Sequence, residues 1–355
     1  MPTLEELGWT AELDHYFTQL GHPDWAPGRI ARVDRERFGV WTASGEIPAE
    51  LSGKIRDTSA DHVCVGDWVA LTLHNGLGIM HARLPRKTSI SRKAAGEQTA
   101  EQALAANIDA VLLVCGLDAD FNLRRIERAL TLVMNSGASP IIVLNKADQC
   151  DNLPAKITLT EQVAPHMPVC AVSATTGLGL EELRTHLKAQ QTFVLLGSSG
   201  VGKSTLTNSL LEQTRMQTGA LRSSVEKGHH TTTHRQMWLL PNGALCIDTP
   251  GLRELGLWGS DEGLDVVFPE IEALARTCRF HDCSHEVEPG CAIQAALQDG
   301  ALSSERYESW LKLRREYAFV EQRQSEHKRR QADKELGRMY KRAKEDARRR
   351  KPGFR

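Results

Sequence analysis

The texture of apolar positions changes once along the chain. From about Arg29 to Ala95, short β-rich runs (Arg37–Thr42, His62–Thr72, Gly78–Leu84) are broken by turn signals such as Gly66-Asp67 and Asn75-Gly76. Several short strands at this spacing predict a small β-barrel. The basic residues Arg83, Arg86, Lys87, Arg92 and Lys93 near its end suit an oligonucleotide-binding (OB) barrel, while an SH3-like barrel or a β-sandwich fits the strand pattern equally. From Ile108 the runs become continuously apolar: Ala110–Leu117, Pro140–Leu144, Pro168–Val172 and Thr192–Leu196. Such strands belong to parallel sheets buried on both faces. The segments between them, Asn122–Ser136, Lys156–His166 and Glu181–Lys188, repeat apolar residues at helical spacing, so the units predict a doubly wound α/β domain. Arg235–Leu240 and Ala244–Asp248 flank Pro241-Asn242-Gly243 and predict a closing hairpin. After about Asp265 the pattern is helical.

The expected architecture is multidomain α/β. Residues 1–28 are an N-terminal extension, 29–95 an OB-like barrel, 96–265 the α/β domain, 266–327 a helical metal-binding domain and 328–355 a basic tail. A chain of 355 residues exceeds one ordinary core, and with 41% hydrophobic and 25% charged residues it is neither a lone small module nor wholesale disordered. Charge sharpens the picture at one end. Glu321–Arg355 holds 14 basic and 6 acidic side chains, a net +8 against −1 for the whole chain, which leaves −9 on the residues before it. That asymmetry suits a polyanion-seeking tail, or a helix kept soluble by its charge. No run approaches the ~18–20 apolar residues of a membrane span, and Met1–Glu6 is acidic, so a cytoplasmic protein with no membrane partner is expected.

The most specific local signal is Gly197-Ser198-Ser199-Gly200-Val201-Gly202-Lys203-Ser204-Thr205, a P-loop that follows an apolar strand and opens a helix. Its glycines allow backbone N–H groups to face phosphates, Lys203 is expected to reach the β and γ phosphates, and the Ser204 hydroxyl to ligate Mg²⁺. Asn145-Lys146-Ala147-Asp148 ends another strand, where a carboxylate can accept from guanine N1–H and its 2-amino group. Ser173-Ala174-Thr175 is expected to close over the base. Asp248-Thr249-Pro250-Gly251 ends the strand before it, as suits a carboxylate near Mg²⁺ and a Gly251 N–H at the γ-phosphate. Lys227-Gly228-His229-His230-Thr231-Thr232-Thr233 is a polar stretch in which a threonine hydroxyl can complete the Mg²⁺ shell. GTP and GDP are therefore the expected nucleotides. The guanine-reading motifs precede the P-loop, which makes the domain circularly permuted. The residue after Gly251 is Leu252, which cannot orient water as a glutamine does. His230 is the candidate of suitable chemistry nearby, set against the plainer possibility of a surface loop histidine.

Cys278-x4-Cys283-x-His285-x5-Cys291 offers three thiolates and an imidazole, the ligand set of a closed structural zinc site. Cys64, Cys115, Cys150, Cys170 and Cys246 lie in or beside apolar runs and are expected to be core thiols.

The permuted order, the P-loop, Gly-x-His-Thr-Thr at 228–232, Asp-Thr-Pro-Gly at 248–251 and the cysteine–histidine spacing together resemble the ribosome small-subunit-dependent GTPase A family (RsgA/YjeQ) over nearly the whole chain. The resemblance implies an OB-fold, a permuted GTPase and a zinc domain, acting in late maturation of the 30S ribosomal subunit with 16S rRNA as partner. It implies a monomer whose hydrolysis the 30S subunit stimulates, His230 as catalytic residue, and Thr231 and Thr232 as Mg²⁺-sensing switch threonines. One departure is visible: His229 stands where the family carries Arg or Lys. Two other classes compete. A nucleotide-independent RNA-binding protein with a vestigial P-loop is opposed by the intact Lys203, Ser204 and Asp248, and an ATP-using kinase by Asp148.

Overall fold

The computed structural model describes residues 2–34, 37–53, 63–93, 101–212, 235–248 and 262–322. Helix α1 (Ala11–Gln19) starts at Thr10, whose side chain accepts from the Leu13 N–H. It precedes five strands: β1 (Ala26–Asp34), β2 (Arg37–Thr42), β3 (Gly45–Leu51), β4 (Trp68–His74) and β5 (Leu77–Arg83). Their order is β1-β2-β3-β5-β4, and β4 pairs back to β1, which closes the barrel. β3 and β5 run parallel while the other barrel pairs are antiparallel. A closed five-stranded Greek-key barrel is the OB architecture, so of the three β-folds open from sequence this one is present. Its interior holds Ile30, Val40, Val69, Leu71 and Met80. The first strand begins at Ala26, inside the expected extension. The rest of that extension also packs: Leu7 is fully buried, and Trp9 sits edge-on to Trp68 with ring centroids 4.9 Å apart.

β6 (Ser89–Lys93) and β7 (Glu101–Ala106) form a separate antiparallel ribbon leading out of the barrel. The expected basic patch here is partly spent on structure. Arg86 makes a two-point pair with the fully buried Asp67, at 2.7 and 2.8 Å. It is held in place rather than offered to a polyanion.

The α/β domain follows as β8 (Ala110–Gly116), α2 (Leu123–Asn135), β9 (Ser139–Asn145), α3 (Leu153–Val163), β10 (Val169–Ala171), α4 (Leu180–His186), β11 (Thr192–Leu196) and α5 (Lys203–Leu211), then the hairpin β12 (Arg235–Leu239) and β13 (Leu245–Asp248). The helices begin where the sequence provides caps. Asn122 accepts from the Arg125 N–H at α2, and Asn152 from the Ala155 N–H at α3 with a proline in the first turn. β9, β8, β11 and β13 are mutually parallel neighbours, and β12 lies antiparallel on the far side of β13. One feature has no counterpart in the pattern of the sequence: β12 pairs antiparallel with barrel strand β1, at Arg32↔Gln236 and Val33↔Arg235, which makes barrel and α/β domain one eleven-stranded sheet.

Arg29 sits at that junction. Its guanidinium donates to Thr192 Oγ1 (2.8 Å), the Asn107 carbonyl (3.0 Å), the Gly66 carbonyl (3.4 Å) and the Leu7 carbonyl, and lies 5.4 Å from the Trp68 ring centroid. Burial lowers its pKa to about 10 while Asp109 and Asp67 oppose that shift, so it remains charged at neutral pH. One side chain thereby ties the N-terminal segment, the barrel and the strand before the P-loop together.

Residues 262–322 add α6 (Glu262–Val267), α7 (Pro269–Ala275), α8 (Ala292–Gln298) and α9 (304–322). They cover α2, and one core cluster runs from barrel Trp68 through Ile126 and Leu130 to Phe268, Trp310 and Tyr317. At its polar edge the buried Glu127 of α2 accepts from Arg306 Nη1 (2.5 Å) and Ser309 Oγ of α9. No helix among the described residues is long and apolar enough to cross a membrane.

Candidate nucleotide site and metal centre

The motifs read from the sequence meet at the carboxyl ends of the parallel strands, where open α/β sheets bind ligands. Residues 197–202 follow β11 and lead into α5, the Asn145 motif ends β9, Ser173 follows β10, and Asp248 is the last residue of β13. Asn145 joins three of them. It is 2% exposed; its Nδ2 donates to the Val201 carbonyl at 2.8 Å and its Oδ1 accepts from the Ala174 N–H at 3.0 Å. Glycine at 202 is required by this bracket, since a Cβ there would lie 2.3 Å from Asn145 Nδ2 and the backbone has φ +95°. Gly197 is constrained likewise, with the Val114 carbonyl 2.2 Å from a Cβ position. Lys203 Nζ donates to the carbonyls of Gly197 (2.6 Å) and Ser198 (2.5 Å), which holds the ammonium inside the loop.

On the base side, Lys146 takes a left-handed backbone (φ +67°) that turns the chain after β9 and leaves Asp148 exposed on a single 3-10 turn. Ser173 is buried, pairs with Thr175 Oγ1 at 3.0 Å and accepts from the Thr176 N–H, while the Ala174 carbonyl accepts from Ser209 Oγ of α5 at 2.7 Å. Ser204 and Thr205 lie in the first turn of α5, and Asp248 is on the strand paired parallel to β11. A hydroxyl in the first turn of the helix after β11 and a carboxylate at the end of the neighbouring strand are hard oxygen donors suited to Mg²⁺.

The second cluster lies in the loop between α7 and α8. One ligand atom from each of Cys278, Cys283, His285 and Cys291 can be chosen so that all lie within 4.8 Å of one another. Cys278 Sγ is 3.4 Å from His285 Nδ1, Cys291 Sγ is 3.8 Å from it, and the two sulfurs are 3.9 Å apart. Tetrahedral zinc bonds of about 2.3 Å to sulfur and 2.0–2.1 Å to nitrogen require edges of about 3.5–3.8 Å, which the three edges among Cys278, His285 and Cys291 approach, with Cys283 within 4.8 Å of all three. The His285 backbone is left-handed (φ +65°), and its carbonyl is held by Gln294 Nε2 (2.7 Å) and the Tyr307 hydroxyl (2.8 Å). Hydrogen bonds from Ser284 and the Val287 N–H hold the Glu288 carboxyl down to about 2.

A search of protein families matches residues 83–258 to the RsgA GTPase. The small ribosomal subunit biogenesis GTPase RsgA of Syntrophotalea carbinolica is 47% identical over 326 residues, covering 89% of this chain and 90% of that protein. The protein of the same name from Xanthomonas axonopodis is 45% identical, with 89% of each covered. The crystal structure of YjeQ from Thermotoga maritima superposes with a TM-score of 0.62 at 28% identity, covering 83% of this chain and 99% of that one. YloQ, a circularly permuted GTPase, has the same fold at a TM-score of 0.61 and 23% identity. The chain belongs to the RsgA GTPase family.

For this RsgA-family chain, the structure brings together Asn145, Lys146, Asp148, Ser173, Ala174, Gly197 to Thr205 and Asp248, and separately the four metal-ligand candidates. His230, Thr231, Thr232 and Gly251 lie outside the described residues, as does the tail beyond residue 322. Two neighbours of the site escaped the sequence reading. Asp118, just after β8, accepts from Lys146 Nζ at 2.6 Å, and that bond, with the Asp120 N–H, holds its carboxyl below the usual range. Arg125, in the first turn of α2, reaches Ser198 of the P-loop. Neither belongs to a phosphate or base motif; only proximity reveals them. Of the expected core thiols, Cys64, Cys170 and Cys246 are buried and Cys115 and Cys150 half-buried. Burial pushes Cys115 up to about 12 and Cys170 up to about 11, which leaves them inert.

Proposed function

We propose that this chain is a Mg²⁺-dependent GTP hydrolase that acts in late maturation of the small ribosomal subunit, docking on its rRNA in the GTP state and leaving after hydrolysis. The observation that carries this reading is the Asn145 bracket. It holds the guanine-reading segment, the base-closing segment and the P-loop in one frame, with Lys203 turned onto the loop. An RNA-binding protein with a vestigial P-loop would need none of that agreement. Family membership and the names of the relatives support the ribosomal assignment, and with it a cytoplasmic monomer.

Asp148 is the base reader and Lys203 the phosphate cation; Lys146, fixed by Asp118, flanks the base. Ser204 and Asp248 would hold Mg²⁺, which supplies neutralisation of phosphate charge when bound. His230 orients the attacking water, and Thr231 or Thr232 senses the γ-phosphate. Titrating labelled GTP and ATP into the protein tests the assignment directly: Mg²⁺-dependent GTP binding with ATP at least tenfold weaker is expected, and equal binding would overturn it.

Cys278, Cys283, His285 and Cys291 hold one structural zinc. Metal analysis should return about one zinc per chain, and Cys283→Ser should lose it and loosen residues 276–291 with GTP binding nearly intact, because structural zinc supplies much of a small module's folding energy. Protein purified without chelators that carries no zinc and has all three cysteines freely alkylated would remove this assignment.

A further inference from the structure

Helix α2 holds two parts of the molecule at once. Arg124, Glu127, Arg128 and Asn135 fall on one stripe of the helix, at spacings of three, four and seven or eight residues. That stripe grips α9: Arg124 pairs with Glu308 at 3.3 Å, Glu127 accepts from Arg306 and Ser309, Arg128 pairs with Glu316, and Asn135 Nδ2 donates to the Tyr317 hydroxyl at 3.0 Å. Arg125 is turned about 100° away from Arg124 around the axis. Its Nη1 donates to Ser198 Oγ at 2.9 Å and to the Asp120 carboxylate, and its backbone N–H is taken by the Asn122 cap.

Ser198 is therefore held at both ends. Arg125 grips its hydroxyl, and its carbonyl accepts from Lys203 Nζ. Fixing the hydroxyl restricts the serine's rotamer, and with side chain and carbonyl both held the residue has less room to move, which keeps the carbonyl in place as an acceptor for the ammonium. We propose that Arg125 is a positioning residue for the nucleotide phosphates, acting through Ser198 on Lys203. The contact is anchored rather than incidental because α2 is clamped along its other face by α9. This proposal rests on the reading of residues 197–205 as the nucleotide site. The Arg125–Asp120 pair is half-exposed, and such pairs contribute little to stability, so removing Arg125 should be felt at the nucleotide before it is felt in the fold.

The test is a double-mutant cycle on the full chain: wild type, Arg125→Ala, Ser198→Ala and the double variant, each titrated with fluorescent GTP and GDP in Mg²⁺ and assayed for kcat and KM. Arg125→Ala should weaken GTP binding about 5- to 50-fold, within the span of couplings between contacting groups. The loss should appear in KM more than in kcat, because Lys203 binds phosphate in the ground state as well. In the Ser198→Ala background the same change should add less than about twofold. Arg125→Lys, which keeps a cationic donor, should recover most of the affinity, and this variant decides the matter should Arg125→Ala melt early. Affinity within twofold of wild type in Arg125→Ala, or an undiminished effect in the Ser198→Ala background, overturns the proposal. A wild-type protein that binds no guanine nucleotide instead removes the nucleotide-site reading itself.

Discussion

Stimulated hydrolysis should fall about 10²- to 10⁴-fold in His230→Ala while GTP affinity and binding to 30S particles persist, the range typical of a lost general base or water-orienting group. The size follows from what the second switch lacks. Leu252 follows Gly251 and has no side-chain amide to hold water, and on the proposed reading the His230 imidazole supplies that function. Hydrolysis by the free protein should accordingly be slow, and docking on the small subunit should assemble the catalytic arrangement, as partner contacts do for the switch segments of other GTPases. His230→Ala should then remain on the subunit longer than wild type. Steady-state assays with and without 30S particles measure this. Retention of the full stimulated rate would make His230 an ordinary loop histidine.

Asp148→Asn should cost GTP about 2–4 kcal/mol, or roughly 30- to 1,000-fold in affinity, and should raise affinity for xanthosine triphosphate. As the proposed base reader, the carboxylate would accept two hydrogen bonds from guanine. An amide offers one acceptor and two donors, which suit the 2-oxo group of xanthine. Asp148 is exposed on its short turn, so the change should leave folding alone, and the gain of xanthosine triphosphate is the internal control that separates altered recognition from damage. Unchanged GTP affinity would remove Asp148 as base reader.

How much of this was legible beforehand depended on whether a local pattern existed. Thr192–Leu196 is buried at every position and apolar from Phe193 onward because both faces of β11 are covered, and its predicted bounds match the strand. Asn122–Ser136 likewise contains α2 together with its two caps. Pairing of β1 with β12 leaves no such trace, since it joins strands some two hundred residues apart through backbone groups that every residue carries. Arg86 misled by type: arginine suggests a surface, yet it is paired to a buried aspartate, and Arg29, which no motif marked, is fully enclosed by carbonyls and a hydroxyl. For Asn145 the motif was visible but its geometry was not. The sequence placed it beside the base, while the structure gives its side chain to the backbones of Val201 and Ala174.

The shared sheet bears on how the parts of this protein can be separated in the laboratory. A shortened chain lacking the barrel would strip the partner from β12 and bare a row of unpaired N–H and C=O groups, the kind of edge that templates aggregation. It would also take away Arg29, and with it the hydrogen bonds to Asn107 and Thr192 at the start of the P-loop strand. Failure of such a truncation on ribosomal particles would report an opened edge as readily as a missing RNA contact. Point substitutions on the outer faces of β2 and β3 leave that seam closed and are the cleaner way to ask what the barrel touches.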